Sequence, residues 1–405
     1  MTAPVARSAV VQDWFFAPGG SEEVAIEIAG LLPGSEVITS FMETGYRERL
    51  AGHEVQTWPL QRILGATKRY RNLLPLYPPW FGGLDLRDRD LVVSSSSAFA
   101  KAARTRPRTE GGLHIAYIHA PMRYAWDLDT YLAGSSVSLP GRLAARTLRP
   151  WLRRWDRSTA MRPDVLVANS GAVRDRIKRA WGRDAEVIHP PVRLDGIQVS
   201  DVDDGYLLVA ARLLAYRRID LAVRAANRLG RELVVVGDGP EGARLRTLAG
   251  PTVRFTGRLD RGALVDLFGR CHAYLVPGEE DFGMAPVEAM GAGVPVVALR
   301  AGGALETVVD GATGVLFDAP TVDALVAGIE RADSMSFDRH AIRANAERFG
   351  VDVFRRRFVE LLARLGVDRS LYRADRRKLE LPTRGHRGEA RPSAGRFVDV
   401  EEGAG

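Results

Sequence analysis

The chain has 405 residues, 46% of them hydrophobic and 26% charged, a net charge of +7 and one cysteine, Cys271. That length suits two globular domains. No apolar run reaches the ~18 residues of a membrane-crossing helix, one cysteine cannot close an intramolecular disulfide, and the start MTAPVARSAVVQDWFF lacks a signal-peptide core, so a cytoplasmic protein is expected. Positive charge favours anionic partners such as nucleotide sugars or acidic lipid, and without a zinc-ligand cluster or recognition-helix motif no nucleic acid is expected.

Ala9–Ala17 reads as a first strand. The turn Pro18–Gly19–Gly20–Ser21 leads into a helix Glu22–Leu31 with Ser21 as its N-cap. A strand, a Gly-rich turn and a helix make a phosphate-binding outline, with Gly19 and Gly20 at its apex. Val37–Phe41, Val55–Trp58, Asp90–Ser94, His114–His119, Val165–Asn169 and Val187–His189 continue as strands. Between them, Leu143–Arg157 is an Arg-rich helix with Trp151 and Trp155 on one face, and Ser170 caps a helix Ala172–Trp181. This alternation implies one doubly wound α/β domain over residues 1–195. Val192–Asp204 lacks hydrophobic periodicity and reads as a linker.

A second alternating series fills residues 205–350, with strands at Tyr206–Ala210, Leu233–Val236, Val253–Thr256, Ala273–Val276, Val294–Ala298 and Gly314–Phe317. Two Rossmann-like domains would then face each other across a cleft. Residues 351–367 read as an amphipathic helix packing back on the first domain. Residues 368–405 are rich in Arg, Glu, Gly and Pro, and little structure is expected there.

The second series carries the strongest signal, in AYLVPGEEDFGMAPVEAMGAGVPVVA (273–298). A strand runs into an acidic loop, then Pro286 fits the first position of a helix. Glu280 stands in the loop, and Glu288, with seven residues between the two, is expected in the first helical turn. The amides of Phe282, Gly283, Met284 and Ala285 enter a helix start without intrahelical acceptors. They suit phosphate or sugar oxygens at the carboxyl edge of a parallel sheet. Arg212 and Arg217 follow another strand and suit a diphosphate leaving group in place of a metal. Gly237, in the turn Gly237–Pro240, would let a ligand approach the backbone. His119 ends a strand beside Arg123, Tyr124, Trp126 and Asp127, a carbohydrate-like grouping. Neither G-x-S-x-G nor a P-loop occurs, and the loosest D-x-D match, Asp201, Asp203 and Asp204, falls in the linker.

EDFGMAPVE (280–288) resembles the E-x7-E signature of family 4 retaining glycosyltransferases of GT-B fold. The likeness extends to Gly19–Gly20, YIHAPMRYAWD (117–127), Asn169–Ser170, Arg212–Asp220, Gly237–Pro240 and GGALE (302–306), and is similar to bacterial O-antigen-type mannosyltransferases. It implies a GDP-mannose donor, metal-independent transfer without a cofactor, and a glycan or polyprenyl-diphosphate-linked acceptor. It also implies residue roles. Glu280 and His119 would attend the donor sugar, Glu288 the ribose, Arg212 and Arg217 the diphosphate. The amides of 282–285 would hold sugar and phosphate oxygens, and Gly19–Gly20 would admit donor phosphate and acceptor. The family's second basic position is usually Lys and is Arg217 here, in a chain whose only lysines are Lys68, Lys101, Lys178 and Lys378. The basic, aromatic segments Lys68–Trp80 and Trp151–Trp155 suggest peripheral contact with an acidic membrane surface. The alternatives are a UDP-sugar-dependent transferase of the same fold and a non-catalytic nucleotide-sugar-binding protein. A phosphorylase would need a pyridoxal-phosphate lysine, and the second domain has none.

Overall fold

The computed structural model describes residues 7–16, 19–63, 73–129 and 139–373. Two parallel sheets organise them. The first runs, edge to edge, Val55–Thr57, Glu36–Thr39, Ser8–Gln12, Leu91–Ser96, Leu113–Ile118, Val165–Ala168 and Glu186–Val187. The second runs Val253–Gly257, Leu233–Val236, Leu207–Ala210, Ala273–Val276, Val296–Leu299 and Gly314–Phe317. Every pairing in both is parallel. Strands such as SAVVQ, LHIAYI and LVVV are buried along their whole length, as parallel strands covered on both faces must be.

Alternation along each strand feeds two cores. In the first sheet Val10, Val93 and Ile115 face one cluster, and Ala9, Val11 and Val92 face the other. Both sheets reverse their strand order once, the first between Ser8–Gln12 and Leu91–Ser96, the second between Leu207–Ala210 and Ala273–Val276. Such a reversal opens a crevice beyond the carboxyl ends of the two strands. The four loops leaving these crevices carry Gly19–Gly20, Ser95–Ser97, Arg212–Arg217 and Glu279–Ala285.

Several local expectations are corrected. The first helix is Gly20–Leu31 with Gly19 at the cap, and Ser21 turns its hydroxyl to Glu22 at 2.8 Å. The helix after the acidic loop is Met284–Gly291, so Pro286 is third and Glu288 lies beyond the first turn. Proline fits there because a first-turn N–H has no intrahelical acceptor to lose. The 192–204 stretch is a packed strap: Val192, Leu194 and Ile197 enter the second core, and Arg339 and Arg343 donate to the carbonyls of Ser200 and Ile197. Its apolar residues are too irregularly spaced to show a period, yet these three are buried, while Val202 is exposed.

The helix Val351–Arg364 lays Phe354, Phe358, Leu361 and Leu362 into the first domain's core, beside Val10 and Tyr117. The crossing to it runs beside the outgoing strap, with Val192 N donating to Phe349 O at 3.0 Å. Order extends past Asp368, which caps a short turn over Arg369–Leu371. Leu371 and Tyr372 are buried in the same core. The rest of the expected tail lies outside the described residues.

Candidate functional site

Glycine contacts shape the loop that carries Glu280. A methyl group on Gly302 would run into the Glu280 carbonyl, one on Gly303 into the Phe282 backbone, and one on Gly278 would come within 2.5 Å of the Tyr216 carbonyl. Gly303 N also donates to Glu280 O at 2.9 Å. The loop is therefore clamped between 216–217 and 302–303. Phe282 anchors it from below, packed on His189 and Phe349 with ring centroids 5.3 and 5.4 Å away.

That clamp brings Arg217 onto Glu280: Nη1 donates to Oε1. Burial pushes the Glu280 carboxyl above its ordinary range, against the pull of Arg217. Burial also works against the Arg217 charge, but Glu280 wins and holds that guanidinium more firmly protonated than usual. Its Nε is buried without a partner among the described residues. A buried donor of this kind is a standing demand for an acceptor. Arg212 is exposed, and its guanidinium makes no hydrogen bond or ion pair among the described residues.

Across the cleft, the first domain presents the start of helix Gly20–Leu31. Gly20 lies so close to Met284 that a methyl group there would meet its sulfur at 2.7 Å. Glu22 is buried in this first turn, and burial pushes its carboxyl up to about 7. His119 pairs Nε2 with Ser95 Oγ at 2.8 Å. Burial lowers its pKa to about 4, with Asp281 resisting, so the ring is neutral at physiological pH. A neutral ring serves as a hydrogen-bond partner, not as a cation. Nearby at the strand ends, Ser96 Oγ, Gln12 Oε1 and Asn169 Oδ1 are buried and unpaired among the described residues.

Asp281 has no role in the sequence reading, yet it is the hub between the domains. Arg123 Nη2 donates to it at 2.6 Å and Arg176 Nη1 donates to its other oxygen. Burial would raise its pKa, but the two guanidinium groups prevail and hold it below the ordinary carboxylate range. Ser170 Oγ donates to its carbonyl at 2.5 Å, and the Arg123 guanidinium stacks 4.3 Å from the Tyr216 ring. Glu306 completes the contact. It accepts from Gly171 N at 2.8 Å, at the start of helix Gly171–Trp181, and meets His189 Nε2 at 2.8 Å. The hydrogen-bonded partners lie over 100 residues apart in the chain, and no local pattern marks them.

Other expected residues do different work. Gly237 is approached by the Ala211 carbonyl, so this glycine closes a turn against the protein's own backbone. Trp126 donates its indole N–H to buried Asp156 at 2.7 Å and packs beneath Arg153 and Arg157, so it is part of the core instead of a sugar platform. Trp151 and Trp155 separate: Trp151 is exposed, while Trp155 packs on Phe99. Trp80 stacks on Trp58 at 5.2 Å, and residues 68–72 of that segment lie outside the described residues. Glu288 is paired with Arg261.

Comparison with known proteins agrees with this architecture. Residues 18–195 match the family model described as Glycosyltransferase Family 4, and residues 194–349 match Glycosyl transferases group 1. A GDP-mannose-dependent alpha-mannosyltransferase of Mycolicibacterium smegmatis is 32% identical over 51% of this chain and 57% of its own length. A D-inositol 3-phosphate glycosyltransferase 2 of Catenulispora acidiphila is 30% identical over 46% of this chain and 53% of its own. The chain thus spans little more than half the length of these curated relatives. Among solved structures, Anabaena HepE in complex with UDP superposes with a TM-score of 0.64 at 18% identity, covering 88% of this chain and 100% of that one. Sucrose-phosphate synthase of Thermosynechococcus elongatus does so at 0.60 and 15% identity, covering 89% and 99%. These likenesses give the two-domain GT-B fold.

Proposed function

The chain belongs to the family 4 glycosyltransferases, two family models together spanning residues 18–349, and on that premise we propose that it transfers mannose from GDP-mannose to a lipid-linked glycan, with retention of configuration. The observation that carries this is the Arg217–Glu280 pair held in a clamped loop at a sheet's switch point, with an orphaned Arg217 Nε beside it. Arg217 and exposed Arg212 are the cations for the departing diphosphate, and the free amides at the start of helix Met284–Gly291 add to them. This makes transfer independent of a metal. Glu280 accepts from the donor sugar's hydroxyls, and Glu288 accepts from the ribose. Neutral His119 offers a ring nitrogen toward the sugar. The acceptor hydroxyl attacks the anomeric carbon on the face the phosphate leaves, and its proton passes to a leaving phosphate oxygen. Mannose is chosen because the curated relatives at about 30% identity include mannosyltransferases.

Thermal stabilisation of the purified protein by GDP, UDP, ADP and their sugar conjugates, with and without EDTA, tests the donor. Ligand bound only to the folded state raises the melting temperature with concentration. A GDP-selective, EDTA-insensitive rise is expected. A UDP-selective rise would replace the donor and keep the reaction class. Binding without any sugar transfer to lipid-linked glycans would leave a nucleotide-sugar-binding protein. No rise with any nucleotide would end the transferase reading.

The acceptor side points to a membrane surface. Among the described residues no helix is long and apolar enough to cross a bilayer. The helix Leu139–Thr159, however, exposes Leu143, Leu148 and Trp151 at 67, 48 and 50% among its arginines. Apolar side chains interspersed with cations suit an anionic interface. Co-sedimentation with phosphatidylglycerol vesicles is expected, with little on phosphatidylcholine. The triple variant Leu143→Ser, Leu148→Ser, Trp151→Ser should lose most of it. Equal binding by variant and wild type would assign the contact elsewhere.

A further inference from the structure

Glu288 is not free to take a ligand in any orientation. Arg261, at the start of helix Arg261–Arg270, donates Nη1 to Glu288 Oε1. The other carboxylate oxygen makes no hydrogen bond among the described residues. The second nitrogen of the same guanidinium, Nη2, donates to the Arg193 carbonyl at 2.6 Å. Arg193 belongs to the strap that crosses between the domains, and it is fixed in turn. Its Nε pairs with Glu23 at 3.0 Å, while Arg49 holds Glu23 through two bonds of 2.7 Å. Glu288 thus stands at the end of a chain of fixed groups that begins in the first domain.

We propose that Arg261 is a positioning residue for Glu288, one that holds Oε1 and leaves Oε2 aimed for the vicinal hydroxyls of the nucleotide ribose. The inference rests on the donor-site reading above. The physical case has two parts. A carboxylate has about four lone-pair sites, so one guanidinium nitrogen on one oxygen leaves room for a diol on the other. A planar fork anchored at both tips also loses less freedom than a flexible ammonium would. An acidic side chain held in one rotamer spends less of its binding energy on ordering itself when the ligand arrives. Arg261 itself touches no nucleotide. Its effect runs through Glu288.

A double-mutant cycle read by titration calorimetry with GDP and with UDP tests this. Glu288→Ala is expected to weaken nucleotide binding at least about tenfold. Arg261→Met should weaken it about tenfold, and should cost nothing further in the Glu288→Ala background. Arg261→Lys keeps the charge but cannot fork to both acceptors, and should fall between Arg261→Met and wild type. It also supplies the result if Arg261→Met folds poorly. Wild-type affinity in both Arg261 variants overturns the proposal. So does a full additional loss when Arg261→Met is added to Glu288→Ala, since Arg261 would then act on the nucleotide directly. If Glu288→Ala alone binds like wild type, the donor-site reading fails instead, and that result is separate from any made at Arg261.

Discussion

Glu280→Gln is expected to lower the rate of sugar transfer by about 100-fold or more, while nucleotide affinity changes by less than about threefold. The substitution keeps the shape of the side chain and removes its charge. In the folded protein that charge does two things. It offsets Arg217 inside a buried site, and it accepts the hydrogen bond of the guanidinium proposed above to hold the diphosphate. With an amide there, the sugar hydroxyls lose a charged acceptor whose bonds tighten as the anomeric centre becomes electron-poor. The diphosphate keeps Arg212 and gains an Arg217 with no competing carboxylate. The loss should therefore appear in turnover and not in nucleotide binding. Single-turnover transfer and GDP titration on the same preparation separate the two. A variant with wild-type turnover would remove Glu280 from the donor sugar.

Lys101→Met should destabilise the first domain by about 3–5 kcal/mol. Lys101 and Asp156 are an ion pair at 2.6 Å with side chains 1 and 0% exposed. Asp156 also accepts both the Trp126 and Trp181 indole N–H groups, each at 2.7 Å. Lys101 lies near the Trp155 and Trp181 rings, 5.5 and 5.3 Å from their centroids. Removing the ammonium leaves a carboxylate with two neutral donors and no counter-charge in a dry core. That is far costlier than losing a surface pair, which contributes roughly 0–1 kcal/mol. The network also ties helix Arg123–Trp126 to helices Leu139–Thr159 and Gly171–Trp181, and so supports Arg123 and Arg176 where they reach Asp281. Thermal melts should show a drop of roughly 10 °C. A melt within about 2 °C of wild type would mean that water or a neighbouring group has replaced the ammonium.

Neither network could be read in the chain. Lys101 and Asp156 are 55 residues apart, and Arg123 and Asp281 are 158 apart. A lysine beside alanines and an aspartate inside an Arg-rich helix look like solvated charges until the fold dries them. The carbohydrate-like run Arg123–Asp127 meets the same limit at Trp126. Its composition suits a sugar, but the direction of each side chain is set by packing, and Trp126 turns inward.

Legible in the chain alone were the order of strands and helices, the parallel two-domain architecture, and the acidic loop with Glu280 that follows Ala273–Val276. These follow from local rules. Buried parallel strands must be continuous apolar runs, helices must follow them, and the turns at the carboxyl edge need glycines and free amides. The tertiary structure alone decided which charges meet. It set Arg217 against Glu280, Arg261 against Glu288, and Asp281 between Arg123 and Arg176. Charge pairing depends on distance in space and on the loss of water around both partners. Neither quantity is written in the spacing of residues along the chain.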